Sequence, residues 1–187
     1  MSKFLLLLGP SGVGKSTIIK ELILIDRRFT YISPYVTRDL RPGEKDKISI
    51  SNKAMDILWD NGDLLIINTL YDDIRYATPK TPILESLKEN LFPVLDWPVS
   101  RINIMVQYFK DLLYVVYIAP SSLDVLKNRL EKDDRDTNGK RLESACTELQ
   151  EYWSHKYDDI YDFSIVSEEN QITSIANIIY SNYLLSF

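Results

Sequence analysis

Gly9-Pro-Ser-Gly-Val-Gly-Lys15-Ser16 sets three glycines, a lysine and a hydroxyl in the order G-x-x-x-x-G-K-S. Glycines let a backbone curl until several N–H groups converge on one anion. The lysine adds a point charge, and the serine hydroxyl is a Mg2+ ligand in loops of this kind. The spacing predicts a cradle for the phosphates of a nucleoside triphosphate. Its candidate contacts are Gly9, Ser11, Gly12, Val13, Gly14, Lys15, Ser16 and Thr17, with Ser16 also the candidate metal ligand. A glycine cluster on an ordinary turn shares the composition but not the context, an apolar run before and an amphipathic stretch after. The loop alone does not separate a kinase from a GTPase or a motor.

A second polar segment reads Tyr35-Val-Thr-Arg38-Asp-Leu-Arg41-Pro-Gly-Glu44. Two arginines three residues apart can form a fork for one phosphate or carboxylate. The competing reading is a solvated loop whose arginines pair with Asp39 and Glu44.

Several elements must position these groups. Phe4–Leu8 is a continuous apolar run, as in a parallel strand covered on both faces. Ile18, Ile19, Leu22 and Ile25 recur at helical spacing and predict a helix over Ser16–Ile25. Further helices are expected over Asn52–Asn61, Ile83–Lys88, 141–156 and Ile172–Leu185, and further strands over Leu64–Ile67, Phe92–Leu95, Tyr114–Ile118 and Phe163–Val166. Thr78–Pro82 reads as a turn, and Ser121 as the cap of a helix carrying Leu123, Leu126 and Leu130, with Asp124 completing a capping box. The 141–156 helix should bury Leu142, Ala145, Cys146, Leu149 and Trp153, while 132–140 reads as a charged, mobile loop. Strands and helices alternate throughout, which predicts an α/β fold with a parallel sheet and helices on both faces. Ligands in such sheets sit outside the carboxyl ends of the strands.

The chain has 187 residues, a length for one domain, and a net charge of -5. That charge gives no broad attraction to nucleic acid or to an anionic membrane, so any anion site is a local concentration of Lys and Arg. The twelve tyrosines are scattered without basic interleaving. The single cysteine, Cys146, allows no internal disulfide, and His155 has no second metal-ligating partner in sequence. The FLLLL run is too short for a signal sequence or a membrane span. The expectation is a soluble cytoplasmic protein, monomer or homodimer, acting on a small molecule.

GPSGVGKST followed by Thr-Arg-x-x-Arg-Pro-Gly-Glu resembles the guanylate kinase family. Tyr76-Ala-Thr-Pro79, Val94-Leu-Asp96, Ile118-Ala-Pro-Ser-Ser-Leu and Lys140-Arg141-Leu142 are similar to its later pieces, in the same order. The resemblance implies a three-layer P-loop NTPase fold in one domain over 1–187. A core of about 1–33 and 91–187 would carry an acceptor-binding flap at about 34–90 and a lid at about 130–141. It implies ATP and Mg2+, with transfer of the γ-phosphoryl to a phosphate monoester, a nucleoside monophosphate and by family GMP. Lys15, Arg135 and Arg141 would be catalytic, and Arg129 would join the nucleotide contacts. Arg38, Arg41, Tyr76 and Asp96 would bind the acceptor, with Asp96 near it or the Mg2+. Phosphoryl transfer needs two polyanions held in line, so this concentration of cations is sensible chemistry.

The departures from the family fall together. Its guanine contacts resemble a serine before Thr-Arg, a glutamate after the flap helix and a second aspartate. Pro34, Ile66 and Pro98 stand at the matching positions here, and Lys47 where a tyrosine is expected. Proline and isoleucine side chains cannot pair with a base edge. Phosphate grip is therefore expected to survive while guanine reading weakens, with Glu44, Asp63, Asp72 or Asp73 as candidate substitutes. Tyr35-Val-Thr-Arg-Asp39 with a shortened run to Ser51 is also similar to ribose 1,5-bisphosphate phosphokinase, which makes a sugar-phosphate kinase the alternative. A non-catalytic binding module with this fold is the rival of another class, and an intact phosphate loop argues against it. In the lid, Asp133, Asp134 and Asp136 flank Arg135 and read as a solvated tip.

Overall fold

A computed structural model describes residues 2–69, 73–131, 139–168 and 170–187. The apolar run at the N-terminus is strand β1 (Phe4–Leu8), buried along its whole length. Its side chains alternate: Phe4, Leu6 and Leu8 enter one core cluster, Leu5 and Leu7 the other. That is why the run is continuous rather than alternating. Helix α1 (Lys15–Ile25) returns over the sheet to β2 (Phe29–Tyr31), followed by the short strands β3 (Tyr35–Val36) and β4 (Ile48–Ser49). Helix α2 (Asn52–Asp60), strands β5 (Leu64–Thr69) and β6 (Arg75–Pro79), and helix α3 (Thr81–Lys88) lead to β7 (Phe92–Asp96). Helix α4 (Ile102–Phe109) precedes β8 (Leu113–Pro120), and α5 (Leu123–Glu131), α6 (Lys140–Trp153), β9 (Phe163–Ser167) and α7 (Ile172–Leu184) complete the chain.

The main sheet runs β2-β7-β1-β8-β9, and every pairing in it is parallel. On one face α1 and α7 bring Ile18, Ile19, Leu22, Ile175, Ala176 and Ile179 against Leu5, Leu7, Val116 and Ile118. On the other, α4 supplies Ile102, Met105 and Phe109, joined by Ile83 of α3 and by Tyr157. The three-layer α/β/α arrangement follows from these two faces. Leu7 is level with Asp96 in the register of β1 and β7, so the phosphate-loop segment and Asp96 leave the sheet at the same carboxyl edge.

A second sheet, β4-β3-β6-β5, pairs β3 with β6 and β6 with β5 in antiparallel fashion. It builds a small core of Met55, Leu64 and Ala77 with α2. Helices α5 and α6 hold each other through Leu126, Leu130, Ala145 and Leu149. Arg135 and the acids Asp133, Asp134 and Asp136 lie outside the described residues, as does Asp72.

Four local expectations are corrected. Thr78 and Pro79, expected in a turn over Thr78–Pro82, instead end strand β6, because pairing with β5 outweighs the prolines, and Thr81 and Pro82 already belong to α3. The cap of α5 is Ser122, whose hydroxyl accepts from the Val125 N–H at 3.2 Å, one residue later than Ser121 and without a capping box. Helix α6 stops at Trp153, one turn past the α5 cluster, so that ring is 53% exposed instead of buried. Helix α4 was not foreseen, although Ile102, Met105 and Phe109 lie on one helical face.

Candidate active site

Helix α1 begins at Lys15 behind Gly14, which sits at φ 104°. No side chain caps it and no acid stands in its first turn. Its leading N–H groups and positive dipole are therefore left for an anion, and a phosphate is the natural cap. Gly9 holds φ +128°, and a Cβ there would lie 2.2 Å from the Ile118 carbonyl oxygen of the adjacent strand. The loop can start its curl so close to β8 only with glycine. Val13 turns inward and is fully buried, so only its backbone is available to a ligand.

The Lys15 ammonium donates to the carbonyls of Gly9 and Pro10, the second at 2.9 Å. Burial pushes its pKa down, the Asp96 and Glu148 carboxylates pull it up, and the Arg141 guanidinium pushes it down again. Asp96 accepts from the Tyr31 hydroxyl at 3.2 Å, and burial with that carboxylate raises the Tyr31 pKa, keeping the phenol neutral. Arg141 donates from Nε and a terminal nitrogen to the Ser11 hydroxyl at 3.1 and 2.6 Å. Arg129 donates to the Val13 carbonyl at 3.4 Å. Helices α5 and α6 thus deliver one arginine each to the phosphate loop.

These groups line a cleft of about 940 Å3 that continues to the second sheet. Ser11, Gly12, Gly14, Lys15, Ser16, Thr17, Arg129 and Arg141 form one end, and Tyr76 with Thr78 and Asn68 the other, with Asp96 also on its wall. Arg38 stands behind Tyr76 and donates to its hydroxyl at 3.3 Å. Its guanidinium is bidentate to Glu44, at 2.7 and 2.8 Å. That pairing raises the Arg38 pKa and holds the Glu44 carboxyl far below the usual carboxylate range. The loop-pairing reading is therefore realised for Glu44, and Arg38 meets the cleft only through Tyr76, which lines it. Arg41 is not brought in: its side chain is exposed, and only its N–H is used, donating to Glu44 at 3.1 Å.

Of the positions matched by resemblance to base contacts, Pro34 and Pro98 line the cleft, whereas Ile66 packs against the main core. Lys47 lines it too, but is tied to Glu44 and Asp46, each at 3.1 Å. The other residue foreseen as inert, His155, is exposed and pairs with Asp158.

Glu148, Asn68, Thr78 and Arg101 were missed. Glu148 lies two helical turns after Arg141 on the same face of α6, accepts from the Tyr117 hydroxyl at 3.3 Å and faces Lys15. A glutamate inside the Ala145–Leu149 stripe was the available signal. For Asn68 and Thr78 the signal was alternation with Tyr76 across a strand pair that the sequence had not revealed. Arg101, on a 3-10 turn after β7, carried none. Among the described residues no group of three or more His, Cys, Asp or Glu could hold a metal ion, and no helix is long and apolar enough to cross a membrane.

The family model for guanylate kinase matches residues 1–181. The chain is 29% identical over 187 residues to the guanylate kinase of Oceanobacillus iheyensis, covering 96% of this chain and 87% of that one. It is 30% identical over 190 residues to that of Latilactobacillus sakei, covering 96% and 89%. The crystal structure of guanylate kinase from Anaplasma phagocytophilum superimposes with a TM-score of 0.72 at 19% identity, covering 98% of this chain and 85% of that one. Shikimate kinase from Acinetobacter baumannii shares the fold more loosely, with a TM-score of 0.56 at 16% identity over 99% and 94% of the two chains. With the phosphate loop, the arginines above it and the flap sheet all in the matched span, the chain belongs to the guanylate kinase family.

Proposed function

We propose that the protein is an ATP-dependent nucleoside monophosphate kinase, working in the cytoplasm, whose acceptor is GMP or a close purine relative. One observation supports this reading: a single cleft runs from an uncapped P-loop helix to Tyr76, whose hydroxyl takes a hydrogen bond from Arg38 at 3.3 Å. Two polyanions can lie end to end there. The cleft lining also includes Pro34, Leu95, Trp97 and Pro98, which suit a flat ring better than a sugar bisphosphate.

Lys15 exchanges its two loop carbonyls for the β- and γ-phosphates of ATP. Arg129 and Arg141 cover the transferring group, and Arg38 and Tyr76 hold the acceptor phosphate. Arg38 then shares or trades its Glu44 carboxylate for phosphate oxygens of the same charge and fork geometry. A non-bridging oxygen of the acceptor phosphate forms the new bond to the γ-phosphorus. The bond from that phosphorus to the bridging oxygen breaks, and ADP leaves. That oxygen is already anionic, so no strong base is required.

The donor set fits Mg2+. The Ser16 hydroxyl and the Asp96 carboxylate are oxygen ligands on the cleft wall, and Mg2+ takes few protein ligands beside phosphates and water. When bound, it would neutralise charge on the β- and γ-phosphates.

The test is ADP release with ATP against GMP, dGMP, AMP, CMP, UMP and ribose 1,5-bisphosphate. The purine 6-oxo monophosphates should lead, and Lys15→Met should lower kcat by about 100-fold or more. Full phosphotransfer by Lys15→Met, or ribose 1,5-bisphosphate as the clear winner, ends this reading.

A further inference from the structure

Strands β5 and β6 pair with Ile66 opposite Thr78, Ile67 opposite Ala77, and Asn68 opposite Tyr76. Ile67 and Ala77 turn to the small core beneath α2. Alternation puts Ile66, Asn68, Tyr76 and Thr78 on the other face, and the last three line the cleft. Asn68 brings something the rest of that face does not. Its Oδ1 is buried and has no hydrogen-bond partner among the described residues. Buried amide oxygens are normally paired, so a turn of the carboxamide into the adjoining cleft, where a ligand N–H can meet the oxygen, relieves that cost. The cleft is also lined by Pro34, Trp97 and Pro98, whose side chains offer at most one indole donor, and Trp97 spends that on the Arg101 carbonyl at 3.0 Å.

Resting on the kinase reading above, we propose that Asn68 is the specificity-determining contact for the acceptor base, and that it reads one donor and one acceptor rather than two donors. A carboxamide presents one C=O and one NH2, whereas a carboxylate presents only acceptors. The matching edge of a 6-oxopurine is its N1–H together with O6. The exocyclic 2-amino group then has no carboxylate to meet on this strand pair. Of the acids on the cleft wall, Asp46 is tied to Lys47 at 3.1 Å, Asp96 accepts from the Tyr31 hydroxyl at 3.2 Å, and Glu168 accepts from the Gln171 amide at 2.8 Å. The site therefore takes 6-oxopurine monophosphates with or without the 2-amino group, and GMP and IMP are near-equal acceptors.

The experiment uses the full chain, with GMP and IMP followed by calorimetric binding without ATP and by ADP release with ATP. Wild type should bind the two within about threefold of each other. Asn68→Asp replaces the donor by a second acceptor and should favour GMP over IMP by about tenfold, through N1–H and the 2-amino group together. Asn68→Leu should weaken both by about tenfold or more. A wild-type preference for GMP above about thirtyfold overturns the proposal, as does unchanged binding of both by Asn68→Leu or failure of both to bind wild type. Binding as expected without ADP release leaves the base contact standing and instead refutes the kinase reading.

Discussion

Replacing Gly9 by alanine tests whether the phosphate loop is fixed by its approach to β8. The added methyl would stand 2.2 Å from the Ile118 carbonyl oxygen and 3.1 Å from its carbon, at φ +128°. Neither neighbour can retreat easily. Leu8 and Ile118 are both fully buried, and β1 is locked to β8 in register from Phe4 opposite Leu113 to Leu8 opposite Tyr117. Backbone strain at such a φ costs roughly 1–3 kcal/mol, and an overpacked contact about as much again, so the total is about 2–6 kcal/mol. At roughly 2–4 °C per kcal/mol for a chain of this size, Tm should fall by at least about 4 °C. Gly43→Ala is the control. It also has positive φ, at +79°, but its Cβ would meet nothing within 4 Å. It carries strain alone, about 1 kcal/mol, and a loss of about 2–4 °C. Thermal unfolding followed by circular dichroism compares the two, with ATP titration of the folded protein as the functional readout. If Gly9→Ala melts no lower than Gly43→Ala, the close approach to Ile118 is not what fixes the loop.

Arg38→Lys keeps the charge but loses the fork, so the acceptor KM should rise about tenfold while the ATP KM holds, as steady-state kinetics would show. Glu148→Gln removes one of the two carboxylates that hold Lys15 protonated against its burial. The Lys15 pKa then drops further, and the alkaline limb of the kcat/KM profile for ATP should move to lower pH, with an unmoved limb counting against the coupling. Asp26 is held at a pKa of about 2 by Arg28, despite opposing burial, with further help from Tyr180. A carboxyl depressed on folding stabilises above its unfolded pKa and loses that contribution as pH falls. The stability gap between wild type and Asp26→Asn should therefore be constant near neutrality and close on acidification towards about pH 2, as urea titrations across that range would show.

The fold was legible where one physical cause dominated. FLLLL and YVVYI each feed two cores by alternation, so nothing but a strand covered on both faces accommodates them. The P-loop was legible because its chemistry is local: the glycines, Lys15 and the start of α1 lie within one turn of chain. The short strands β3, β4 and β6 were not, since two to five residues carry little periodicity and are held by partners elsewhere in sequence. Missing β6 had a cost for function. Read as a turn, Thr78 had no face, and Tyr76 had no neighbour across a ladder.

The acceptor site shows why position-by-position reading reaches further for phosphate than for base. Phosphate is gripped by charge, and a long arginine tolerates a residue or two of misplacement, so the spacing of Arg38 and Arg41 allows a fork for an anion, but it does not choose between the two or exclude the pairing with Glu44 that Arg38 makes. A base edge is read by short side chains whose direction reverses at every step along a strand. Ile66 was singled out as the lost contact, and it does pack into the core. The polar group on the same face is two residues on, at Asn68, level with Tyr76 rather than with Thr78. Loss of a contact at one position and retention of a polar group at the next on that face are compatible only because strand periodicity is two. On the proposed contact at Asn68, an isoleucine at 66 changes which edge of the base is read rather than whether the base is read.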